Sequence, residues 1–133
     1  MEIISEAIPM EALGAISANA EQQITWAIAV MGGTLLIVIG TSHISPKSRR
    51  GRLIYLLFLP AWFFLGVSIY YGNRIHRHLI ADHLSDANTQ ISTLKQVNSD
   101  AICQMNAMGV AGLFLATWLL LYVSWWIFLR DEK

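Results

Sequence analysis

The chain contains a single cysteine, Cys103. One thiol excludes an intrachain disulfide and every zinc or iron–sulfur arrangement that needs several cysteines. Charge is scarce as well, at 14% of 133 residues, where soluble domains carry roughly a quarter. The formal net charge is +0, so the basic field that nucleic-acid binders use is missing and nucleic acid is not an expected partner. Lys and Arg are absent from residues 1–23, where Glu2, Glu6, Glu11 and Glu21 stand instead. A secretory signal opens on basic residues, so the first apolar run is expected to be a retained helix. There is no phosphate loop, serine-hydrolase motif or HExxH zinc-peptidase motif, and no enzyme is expected.

Apolar residues are what the chain has in excess: 55% of the total, with a mean hydropathy of +0.49. Residues 24–41, 53–72 and 107–129 hold no Asp, Glu, Lys, Arg or His. Each run reaches the ~18 residues that cross a ~30 Å hydrocarbon core. The expected fold is an all-α integral membrane protein of one domain, residues 1–133, with three transmembrane helices. Pumps, ion-coupled carriers and voltage sensors place charged groups inside the bilayer, and these runs offer none. Residues 1–20 form an acidic outer tail, read either as a short interfacial helix interrupted by Pro9 and Gly14 or as a frayed end. Asn19 followed by Gln22 resembles a capping box and predicts that the first long helix starts near Ala20. Pro60 removes a backbone donor from the second run and is expected to kink it.

Basic residues set the orientation. Loop 42–52 carries Lys47, Arg49, Arg50 and Arg52, and tail 130–133 carries Arg130 and Lys133, six in all against three (Arg74, Arg77, Lys95) on the other side. The positive-inside rule then predicts an outside N-terminus and a cytoplasmic C-terminus, in a bacterial inner membrane. The loop fixes topology, and each of its cations near a surface adds about 1 kcal/mol of attraction for anionic lipid headgroups.

Residues 73–106 are polar. From Ile80 the apolar positions Ile80, Leu84, Ala87, Ile91, Leu94, Ala101, Met105 and Met108, with Asn98 in the series, alternate by four and three, the spacing of a coiled-coil seam. One straight helix over that length would rise on the order of 40 Å and strand its start far from the end of the second run. A hairpin solves this: the second span continues to about Leu84, residues 85–89 turn, and a second helix descends into the third span. Spans two and three are thus expected to extend into an extracytoplasmic helical hairpin, with Ile80 and Leu84 facing Ile91 and Leu94. A variant breaks the first helix at Gly72 and Asn73.

His76, His78, Asp82, His83 and Asp86 concentrate the ligand-type side chains. They would hold a metal ion such as zinc or copper if the hairpin or a neighbouring subunit completed the shell, or respond to pH. The plainer alternative is a solvated helix face. Ala29 with Gly33, and Gly112 with Ala116, form small-xxx-small pairs that admit close helix approach. The expected function is that of a small non-catalytic accessory or structural subunit of a membrane complex, or a homo-oligomer, with the lipid bilayer, other membrane subunits or copies of itself as partners. A metal ion is the one cofactor weighed. In its three spans, outside N-terminus and small size the chain resembles phage holins in outline, without a shared motif. That resemblance implies the alternative of an oligomeric pore.

Overall fold

A computed structural model describes residues 10–40, 49–82 and 87–128, and all of them are helical. Helix α1 spans Met10–Gly40, α2 spans Arg49–Leu53, a 3-10 turn covers Ile54–Leu57, α3 spans Phe58–Asp82 and α4 spans Ala87–Phe128. Three segments are long and apolar enough to cross a membrane: Glu11–Gly40, Gly51–Ala81 and Ser92–Phe128. The protein is therefore an all-helical chain with three candidate membrane spans. The 42 residues of α4 rise ~63 Å, about twice the hydrocarbon thickness, so part of it stands beyond the apolar core.

Two seams with the same alternation hold α3 and α4 together. On α3 the buried residues are Phe58, Ala61, Leu65, Ser68, Gly72 and Ile75; on α4 they are Val97, Asp100, Gln104, Ala107, Ala111 and Trp118. Steps of three and four keep one stripe facing one partner and favour left-handed, coiled-coil-like packing. The helices run antiparallel: Ile75 clusters with Val97, Leu65 with Ala111, Phe64 stacks on Phe114 and Phe58 meets Trp118. Helix α1 joins with Ala20, Ala27 and Thr34, one heptad apart. It is antiparallel to α3, since Ala20 meets Ile75 and Thr34 accepts a 2.8 Å hydrogen bond from Trp62 Nε1. Small seam residues bring the backbones close, which is how helices gain packing where lipid removes any hydrophobic drive.

The two ends of the bundle differ. At one end Tyr55, Phe58, Trp118, Tyr122 and Trp125 form a chain of ring contacts, with centroids 4.7 Å apart for Phe58 and Trp118 and 5.3 Å for Trp118 and Tyr122. Trp118 is 6% exposed and belongs to this core, away from lipid. The other end carries the polar side chains described below.

Several expectations are corrected. The first long helix does not start at Ala20; α1 is continuous from Met10 through Gly14 and Asn19, because Ile16 packs under the Ala20–Ile75–Val97 cluster and tertiary contact outweighs the ~1 kcal/mol helix cost of Gly14. Helix α3 passes through Gly72 and Asn73 unbroken. Gly72 is there for space: a Cβ would lie 2.6 Å from Gln104 Nε2 and 2.8 Å from Ile24 Cδ1. Helix α4 already includes Ala87, Asn88 and Thr89, so these three residues do not belong to the turn expected at 85–89; residues 83–86, with Leu84, lie outside the described ones. The seam itself is displaced by one residue. Ile80 and Met105 are 68% and 60% exposed and Asn98 is exposed, while Val97, Asp100, Gln104 and Ala107 are buried. Polar Asp100 and Gln104 find partners across the interface, which an apolar pattern cannot register. Pro60 is the third residue of α3, in the first turn after the 3-10 turn Ile54–Leu57, where a missing backbone donor is tolerated.

The close approach at Gly72 has a testable consequence. Gly72→Ala is expected to lower unfolding stability in mild detergent by about 1–2 kcal/mol, overpacking outweighing the helix gain. Gly109→Ala, where a Cβ meets nothing within 4 Å, is expected to be neutral or stabilising. Tryptophan-fluorescence melting compares them, and equal midpoints would contradict the packing at Gly72.

Candidate functional site

Three polar links tie each helix to the other two at one end of the bundle. The first joins α3 to α4. Arg74 and His78 are one helical turn apart on α3, and both reach Asp100 Oδ2, at 3.2 Å from Arg74 Nε and 3.7 Å from His78 Nε2. The Asp100 side chain is 7% exposed, against 37% for Arg74 and 29% for His78. A carboxylate at that burial needs a compensating cation, and Arg74 supplies one. The contact is an ion pair without an aligned hydrogen bond, so Oδ2 has no well-directed donor. Arg74 also lies over the Tyr71 ring, 5.8 Å from its centroid, a cation–π contact that holds the guanidinium on the α4 side.

The second link joins α4 to α1. Gln104, 1% exposed, donates from Nε2 to the Ala20 carbonyl at 3.2 Å. That oxygen sits within α1 and uses its second lone pair for the contact. The Gln104 amide crosses directly over Gly72 to get there, and any side chain at Gly72 would block its path. The third link joins α1 to α3: Ser17 Oγ and His76 Nδ1 are 3.3 Å apart, with the donor set by the imidazole tautomer. Gln23 Oε1 and Ser68 Oγ are buried too and have no hydrogen-bond partner among the described residues.

Of the five ligand-type residues, His76 and His78 are the two whose side chains the structure describes. His76 turns toward α1 and His78 toward α4. Asp82 ends α3, while its side chain, together with His83 and Asp86, lies outside the described residues. Among the described residues no group of three His, Cys, Asp or Glu comes together, and the one carboxylate beside His78 already has the Arg74 cation on it. The small-residue pairs also fall elsewhere than the chain's own interfaces. Ala29, Gly33, Gly112 and Ala116 are all exposed, and a Cβ at Gly33 or Gly112 would meet nothing within 4 Å. Of the basic loop, Arg49 and Arg52 are exposed; Lys47 and the Arg50 side chain lie outside the described residues. Cys103 is a half-buried free thiol.

Asp100 and Gln104 were missed as site residues. Their one sequence signal is spacing: both fall on the Val97–Ala107–Ala111 stripe once that stripe, and not the more apolar neighbour, is taken as the seam. Fold and site together define a class, the all-helical membrane protein with a polar tie at one end of its bundle. Comparison with protein-family models, with curated proteins and with solved structures finds no match.

Unequal burial of the ion pair predicts unequal mutant costs. Arg74→Ala strands a buried carboxylate and is expected to cost about 2–3 kcal/mol. Asp100→Ala frees a guanidinium that can turn to water and is expected to cost about 1 kcal/mol. Denaturant titration of both in detergent reads the order; a harmless Arg74→Ala beside a damaging Asp100→Ala would refute it.

Proposed function

We propose that the protein is a non-catalytic membrane subunit that assembles side by side with other helices, either a larger complex or copies of itself. One observation carries this reading: the chain packs its own bundle with one set of small residues and leaves a second set uncovered. Ala20, Ala27, Ala61, Ser68, Gly72, Ala107 and Ala111 are consumed inside. Ala29, Gly33, Gly112 and Ala116 are exposed. Ala27 and Ala111 share one cluster, and α1 and α4 both run antiparallel to α3. The two exposed pairs therefore occupy nearly the same depth, each beginning one or two residues past that cluster. Small residues offer lipid tails little contact and offer another helix a close approach.

In this reading the polar end faces outward and the basic loop with the C-terminal tail faces the cytoplasm, as six cations against three favour. A bacterial inner membrane suits that asymmetry. The projecting ends of α3 and α4 give a partner a handle outside the hydrocarbon core. A pore of several copies is the alternative from another class, and dye release from proteoliposomes separates the two: the subunit reading expects sealed vesicles.

Leucine at Gly33 and Gly112 together is expected to weaken self-association, or recovery of a co-purifying subunit, on the order of tenfold, the factor that ~1.4 kcal/mol of lost helix packing represents. Fluorescence energy transfer between labelled copies in liposomes measures the first, and purification in mild detergent followed by mass spectrometry the second. An assembly indifferent to both substitutions would sink the proposal.

A further inference from the structure

A groove runs along an exposed, apolar side of α3, away from its seam with α4. Trp62, Phe63, Gly66, Val67, Tyr70 and Tyr71 border it; it is shallow and largely open, with roughly 460 Å³ of space above its floor. Gly66 makes it: a Cβ there would meet nothing within 4 Å, so the floor is open between the rings of Phe63 and Tyr70, both well exposed. The same face continues through Asn73 to Arg77, both exposed. Arg77 stands eleven residues beyond Gly66, ~16 Å along the helix. Arg74, its neighbour, is engaged by Asp100 and by the Tyr71 ring, and among the described residues Arg77 makes no salt bridge. Apolar walls, tyrosines at one end and a cation beyond them follow the order of chain, interface and headgroup in a phospholipid.

We propose that this groove is a binding site for one anionic phospholipid, its acyl chain lying over Gly66 between Phe63 and Tyr70 and its phosphate held by Arg77. The charge complementarity selects the lipid class: the groove alone accepts any acyl chain, and Arg77 adds the preference for a negative headgroup. Arg49 and Arg52 lie at the opposite end of the α3 segment, ~37 Å or more from Arg77, so a lipid held by the basic loop is separable from this one.

Native mass spectrometry of the full chain in detergent, with equimolar phosphatidylglycerol and phosphatidylcholine bearing identical oleoyl chains, tests the site. The wild type is expected to retain phosphatidylglycerol about fivefold over phosphatidylcholine, the factor that one basic residue near a lipid surface supplies. Arg77→Gln is expected to bring the ratio to about one. Gly66→Leu, and independently Phe63→Ala, are expected to reduce retention of both lipids; all three positions are exposed, and circular dichroism verifies that the variants are folded. Equal retention in the wild type would overturn the proposal. So would a preference that survives Arg77→Gln and disappears with Arg49→Gln and Arg52→Gln, or one erased by millimolar inorganic phosphate.

Discussion

A carboxylate enclosed by apolar helices tolerates few positions, and Asp100 has found one. Its oxygen lies between Arg74 and His78 on the facing helix, and sliding α4 by a single turn would carry it ~5 Å from both. The cost of an uncompensated buried charge thus falls on every alternative register. The remaining contacts follow from this one alignment: Gln104 comes over Gly72 and reaches α1, Leu65 meets Ala111 beside Ala27, and Phe58 meets Trp118. Apolar seams alone would accept several registers, because Leu, Ala and Val exchange places at small cost. The polar link makes one register preferred.

The two ends of the bundle divide the work. Ring contacts at the aromatic end depend on shape and need no desolvated charge. At the polar end each helix pair has its own polar contact. Helix α3 is common to most of this packing, so α1 and α4 are held chiefly through it. That leaves large parts of α1 and α4 uncovered, including the small-residue pairs.

Much of this was legible in the sequence. Three uncharged runs fixed the number of long helices, because backbone amides in lipid have to be satisfied within the helix. The argument that residues 80–108 could not form one rod placed a reversal of direction where α3 ends at Asp82 and α4 starts at Ala87. What was illegible shares one cause. Hydrophobic periodicity assigns polar residues to the outside, and here Asp100, Gln104, Ser68 and Gly72 lie on the inside, so the seam was drawn one residue away. Asn19 and Gly72 looked like helix boundaries by local chemistry, yet contacts with distant residues decided both. His76 and His78, two residues apart on one helix, belong to different faces, and the structure sends the first to α1 and the second to α4.

The register is the central claim, and site-directed crosslinking in native membranes tests it most directly. With Cys103 replaced by Ser, cysteines at Phe64 and Phe114, whose rings stack with centroids 6.1 Å apart, should join readily through a short bifunctional thiol reagent. Cysteines at Phe64 and Val110, one turn out of register, should not. A Phe64–Val110 crosslink as efficient as Phe64–Phe114 would show that α3 and α4 have no fixed alignment and would contradict the account.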